Sequence, residues 1–263
     1  MAIRVMGPQA TADTIAACAA AAESAGLDDV WISDHIAIPP DDAEGSGGRY
    51  LDPLATLAYL AARTERVGIG TAVLNLPYRP PLPTAKSLAT VQELSGGRVL
   101  VGVGLGWMRA EFQALGIDRR RRGALTDQTL EFLHRCFARD EVEANGQRFL
   151  FLPRPPRPPI FVGGAPPHAF ERCLRFAEGW MPMARNAAEL APHVAELRRL
   201  ARDAGRPEPE VVALTGLDVR DPARAAEQLH AYAEAGATRV VHGARYEDAS
   251  EFRRAADVLA GIS

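Results

Sequence analysis

VGIGTAVLNLPYRPPLPTAKSLATVQELSGGRVLVGVGLG, residues 67–106, decides the fold. Val67–Leu74 is apolar and too short for a helix, and Pro83–Glu93 carries a helical pattern. After Gly96-Gly97 a second apolar run, Arg98–Val103, follows. Neither run alternates apolar and polar residues as a half-exposed strand would, so both are expected to be covered on two faces. Two such strands with a helix between them are a right-handed parallel unit.

The same unit recurs on both sides. Further strand-like runs lie at Ile3–Met6, Asp29–Ser33, Ile160–Val162, Gly179–Pro182, Glu210–Gly216 and Arg239–His242. Helical patterns cover Ala10–Ser24, Pro53–Arg63, Leu125–Ala138, Pro167–Ala177, Ala187–Ala204, Pro222–Ala235 and Ala249–Leu259. Gly26, Gly205 and Gly236 stand where helices should stop, and Asp221-Pro222 is a cap followed by Pro at the first helical position. Eight strand–helix units in a chain of 263 residues predict an α/β fold, a (β/α)₈ barrel occupying residues 1–263 as one domain. An open doubly wound sheet is the alternative.

Three stretches interrupt the rhythm. Ile36–Leu51 (IAIPPDDAEGSGGRYL) follows the second strand, and Gly106–Gly123 follows the fourth with a short helix near Arg109–Ala114. Asp140–Pro159 should form a hairpin turning at Asn145-Gly146 before the fifth strand.

Composition narrows the class. With 47% hydrophobic and 24% charged residues the chain has the makeup of a globular protein, and a net charge of −3 argues against nucleic acid as a partner. No apolar run approaches a membrane span, and the first ten residues lack a signal-like apolar region. The three widely spaced cysteines, Cys18, Cys136 and Cys173, suit a reducing cytoplasm.

Several familiar chemistries are absent. There is no GxxxxGK, HExxH, CxxC or GxSxG, and Trp107 replaces the last glycine that a dinucleotide fingerprint would need after Gly102-Val103-Gly104-Leu105-Gly106. No metal is expected. What remains is placed at strand ends, where a barrel gathers its functional loops. Asp34 and His35 close the second strand, and an imidazole there can move protons near neutral pH. Glycines end the fourth strand, and Gly163-Gly164 ends the fifth, with Pro166-Pro167 opening a helix. Their backbone can approach a phosphate closely, which favours a phosphate-bearing cofactor over simple tight turns. The run Arg119–Arg122 is either a solvated face or part of an anion site.

Together, residues 22–39 (AESAGLDDVWISDHIAIP), 54–81 (LATLAYLAARTERVGIGTAVLNLPYRPP), 85–116 (AKSLATVQELSGGRVLVGVGLGWMRAEFQALG), 122–133 (RGALTDQTLEFL) and 158–182 (PPIFVGGAPPHAFERCLRFAEGWMP) resemble the bacterial luciferase-like flavin and deazaflavin oxidoreductases, especially the branch using coenzyme F420. Beyond Pro182 the resemblance thins to a barrel pattern.

The resemblance implies a (β/α)₈ barrel and a ring system resting on the third strand, at a non-proline cis bond matching Ala72–Val73, with Asn75 near the ring's polar edge. It implies a phosphate held by Gly104, Leu105, Gly106, Gly163, Gly164 and Ala165. It makes His35, beside Asp34, the group at the ring's reactive region and the candidate catalytic residue. Trp107 stands where the deazaflavin sugar-phosphate dehydrogenases carry a glutamate acid, so that substrate is not expected here. Trp107 and the loop bearing Tyr50 are expected to shape the substrate pocket. The expected function is hydride transfer between reduced F420 and a small organic substrate in a cytoplasmic homodimer. An FMN-dependent monooxygenase using O₂, or a flavin-binding protein without turnover, are the alternatives. Arg119–Arg122 or Arg79 are candidates to screen the carboxylates of the F420 tail.

Overall fold

A computed structural model describes residues 1–262. Seven strands form one parallel sheet: β1 (Asp29–Ile32), β2 (Gly68–Asn75), β3 (Val99–Gly104), β6 (Ile160–Gly163), β7 (Gly179–Met181), β8 (Glu210–Thr215) and β9 (Arg239–His242), adjacent in that order. The run Ile3–Met6, expected to be a strand, is not a regular one. Instead Met1–Ile3 fills the gap between the sheet edges: Ile3 N–H donates to Trp31 O and Ala2 N–H to His242 O, each at 2.8 Å. Further on, Met6 bridges antiparallel to Tyr50, and Leu51 N–H donates to Val5 O. The segment is shared between barrel wall and the following loop, so no long ladder can form. With this edge closed the sheet is a barrel.

The helices α1 (Ala12–Ala25), α2 (Pro53–Arg63), α3 (Pro81–Leu94), α5 (Arg122–Ala138), α6 (His168–Phe176), α7 (Ala187–Asp203), α8 (Pro222–Glu234) and α9 (Ala249–Ile262) alternate with the strands. A further short helix, α4 (Arg109–Ala114), lies between β3 and α5. Asp221 caps α8 by accepting from Arg224 N–H, as the Asp-Pro pair predicts. β4 (Glu141–Ala144) and β5 (Gln147–Leu150) form the hairpin before β6. Asn145 and Gly146 both have positive φ, 50° and 77°, the geometry of a primed two-residue turn.

Inside the barrel, Trp31, Phe161, Met181, Val212 and Val241 form one buried cluster, with Trp31 edge-on to Phe161. A Cβ on Gly70 would stand 2.4 Å from the Trp31 ring, so this filling requires glycine there. The outer core, under the helices, holds most of the Leu, Val, Ile and Phe side chains. One irregularity matters for what sits above. The β2–β3 register shifts between Thr71 and Leu74, and the Ala72–Val73 peptide is cis. Ala72 and Val73 therefore bulge at the top of the interior cluster.

Candidate active site

The C-terminal ends of the strands surround an open cavity of ≈ 980 Å³. Its wall contains Asp34 and His35 after β1, Ala72, Val73 and Asn75 from β2, and Gly104, Leu105, Gly106 and Trp107 after β3. Gly163, Gly164 and Ala165 after β6, Met181 and Met183 from the β7 end, and Leu214 of β8 complete it. The structure thus brings together residues up to 180 positions apart (Asp34 to Leu214), because the parallel topology points every one of these strand ends the same way. Tyr50 does not line the cavity; its ring stands 4.9 Å from the His35 ring, behind it. Trp107 is 65% exposed and approaches His35 edge-on at 6.1 Å.

The imidazole is fixed by a residue that sequence reasoning missed. Glu111, on α4, is fully buried, and its Oε2 lies 3.0 Å from His35 Nδ1. Oε2 also accepts from Tyr78 Oη at 3.0 Å, while Oε1 accepts from Ile36 N–H at 2.6 Å and Ala37 N–H at 3.2 Å. Burial alone would raise this carboxyl, but the hydrogen bonds from His35, Ile36 and Ala37 outweigh it and hold the group below the usual glutamate range. An ionised carboxylate can only accept, so Nδ1 carries a proton and Nε2 is the ring atom left for a ligand. Burial and the same carboxylate push the Tyr78 hydroxyl upward, so it stays a donor. Phe112 anchors α4 by packing edge-on to Tyr78 at 5.1 Å. The signal available in the sequence was a Glu one helical turn beyond Trp107 and followed by an apolar Phe; what it would touch was not written there. Gly106 has φ +72°, and a Cβ there would meet Tyr78 Oη at 2.7 Å, so the turn is strict because of this hidden layer.

Asp34 belongs to a second network. Arg79 holds it with two bonds, 2.6 and 2.9 Å, and reaches Asp52 at 2.8 Å. Asn75 donates its backbone N–H to Asp34 Oδ2 and its amide to Asp34 O, and accepts from Gly106 N–H at 3.0 Å. Asn75 therefore ties three strand ends together at the cavity wall. Arg79 is committed to carboxylates of the protein itself, which removes it from the expected anion-screening role.

The opposite wall is basic. Arg119, Arg120 and Arg122, just before and at the start of α5, line the cavity together with His168 and Arg172 of α6. They flank Gly163-Gly164, where Gly164 has φ +103° and open space on its Cβ side nearer than 3.9 Å. These glycines, small Ala72 and Ala165, and nearby cations fit a flat, phosphorylated ring in shape and charge. Among the described residues, no group of three or more His, Cys, Asp or Glu side chains is placed to hold a metal ion. Nor is any helix long and apolar enough to cross a membrane.

Comparison with known proteins agrees with this architecture. A curated relative, the F420-dependent glucose-6-phosphate dehydrogenase of Nakamurella multipartita, is 31% identical over 269 residues, covering 96% of this chain and 76% of that one. Among solved structures, an F420-dependent secondary alcohol dehydrogenase with an F420–acetone adduct matches at TM-score 0.83 and 18% identity, over 100% of this chain and 96% of that one. The oxygenating constituent of 3,6-diketocamphane monooxygenase from Pseudomonas putida, in complex with FMN, matches at TM-score 0.80 and 14% identity, over 99% and 95%. The family model described as luciferase-like monooxygenase matches residues 2–263, and the chain belongs to that family of flavin- and deazaflavin-dependent oxidoreductases and monooxygenases.

Proposed function

We propose that the cavity holds coenzyme F420 and that the protein transfers a hydride between this deazaflavin and a small organic substrate. One observation carries the proposal: a single cavity has an oriented imidazole on one wall, a small-residue bulge at Ala72–Val73, and glycine turns beside cations on the far wall. When bound, the cofactor supplies the two-electron hydride chemistry, and the protein's task is to position, shield and move a proton.

In this reading the bulge supports the ring, and the backbone of Gly104, Leu105, Gly106, Gly163, Gly164 and Ala165 receives the phosphate. Asp34 and Asn75 keep the β1 and β2 ends in register below the ring. His35 is the catalytic residue: its Nε2 delivers a proton to the substrate oxygen in the reducing direction and takes it back in the oxidising one. Glu111 is a positioning residue that keeps Nδ1 protonated and the ring plane fixed. Trp107 flanks His35 at the reacting end and limits water there, while Tyr50, outside the cavity, packs against the His35 ring and helps hold it in place.

A monooxygenase using FMN is a second reading, supported by the similar fold of the FMN-bound 3,6-diketocamphane monooxygenase constituent. Fluorescence and absorbance titrations with F420 and with FMN separate the two. Tight F420 binding with weak FMN binding is the expected result, FMN alone would favour the monooxygenase, and binding of neither would end both readings. Tight F420 binding with neither loss of F420 absorbance on adding alcohols nor its return when ketones or aldehydes are added to reduced F420 would leave a binding protein without turnover.

A further inference from the structure

The basic wall is not uniform. Arg120 is paired with Asp118 at 3.0 Å, and Arg172 Nε donates to Asp127 at 2.6 Å. His168 Nδ1 lies 3.3 Å from Glu171. Arg119 and Arg122 differ: neither guanidinium has a hydrogen-bonding or carboxylate partner among the described residues, although both line the cavity. Arg121 does not line it, and Arg79 is consumed by Asp34 and Asp52. The four-arginine run thus resolves into one internal pair and two free cations facing the same space as the glycine turns.

Position around the barrel gives these cations a direction. β3 and β6 are neighbours, and Gly104–Gly106 and Gly163–Ala165 leave their adjacent ends. Arg119 and Arg122 come from the connection that leaves β3, and Arg172 from the helix that follows β6. The backbone N–H groups of the glycine turns suffice for one phosphate close to the rim. Long arginine side chains farther along the chain, Arg119 exposed and Arg122 half-buried, suit negative charges that are spaced out and mobile. The cavity's own carboxylate, Asp34, sits away from this wall on the β1 end and is already neutralised by Arg79. No acidic side chain of the protein therefore competes for Arg119 or Arg122.

We infer that Arg119 and Arg122 bind the carboxylates of an oligoglutamate tail extending from the cofactor phosphate, so that the chain selects a long anionic cofactor over one that ends at its phosphate. The inference rests on the F420 reading above and adds a tail subsite to it. Electrostatic contacts of such solvent-accessible side chains are individually modest and salt-screened, and two of them together set the scale at about a tenfold change in affinity.

The test uses the full chain and three probes: the bare deazariboflavin core without phosphate or tail, F420 with one glutamate, and F420 with five. Dissociation constants are measured by fluorescence for wild type, Arg119→Ala/Arg122→Ala and Arg119→Lys/Arg122→Lys, at low salt and at about 0.3 M salt. The expected result is a loss of about tenfold for the five-glutamate cofactor in the alanine variant, a smaller loss with one glutamate, and none for the bare core. Lysines should restore most of the affinity, and added salt should narrow the difference. Equal losses on long and short tails, or no loss, overturn the tail subsite, as does a loss on the bare core. If wild type binds FMN but none of the three deazaflavins, the cofactor reading itself falls, and the two failures are told apart.

Discussion

Replacing Glu111 by Gln inverts the device that orients His35. The buried carboxylate collects donors in two pairs, Ile36 and Ala37 N–H on Oε1, and His35 and Tyr78 on Oε2. A glutamine has only one carbonyl oxygen to offer. The two backbone N–H groups cannot turn away, so they keep it, and the amide NH₂ faces His35. Nδ1 must then accept, and the ring proton moves to Nε2. Four charge-assisted bonds become neutral ones or reverse, each losing roughly 1 kcal/mol, while relief from burying a charge returns part of the total. The net cost is about 2 kcal/mol, or a fall of about 4–8 °C in Tm for a chain of this size. Thermal denaturation reads the first effect, and ¹⁵N-histidine NMR reads which ring nitrogen carries the proton. A variant with wild-type Tm and the His35 proton still on Nδ1 would refute the role given to Glu111. The pH dependence has a definite sign as well. The Glu111 carboxyl is held below its ordinary value of 4.5, so its stabilisation is complete above that value and is lost as pH falls through the lower folded value. Acid denaturation of the glutamine variant should therefore be shallower than that of wild type.

Other substitutions separate support from function. Arg79→Ala leaves Asp34, fully buried at its side chain, with only backbone and water partners; a loss of about 3–5 kcal/mol in urea denaturation is expected, part of it regained on adding Asp34→Asn. Gly104→Ala would place a methyl 2.4 Å from Val73 Cγ2 and 2.8 Å from Asn75 Oδ1, so it should cost about 1–3 kcal/mol and displace the bulge, visible as changed Val73 methyl shifts. Trp107→Ala removes an exposed ring, so stability should stay within about 0.5 kcal/mol while substrate KM rises at unchanged cofactor affinity. A Tm drop of several degrees there would make Trp107 a structural residue instead.

Local patterns were sufficient wherever the physics is local. Uniformly apolar runs between capped helices announced β1, β2, β3 and β6–β9, since a doubly covered strand must be apolar along its length. Asn145-Gly146 announced the β4–β5 turn because both residues tolerate positive φ. The first run was legible as apolar and not as irregular, because its partners, Trp31, Tyr50, Leu51 and His242, lie far along the chain.

By itself the sequence determined that parallel strands would end in a ring of glycines with Asp34 and His35 among them. Folding decided which side chains face one another: Glu111 finds His35 across 76 positions, Arg79 finds Asp34 across 45, and Arg119 and Arg122 are left free while Arg120 is paired. The reason is that backbone propensity acts over a few residues, whereas an ion pair or a buried hydrogen bond is chosen by proximity that exists only once the barrel has closed.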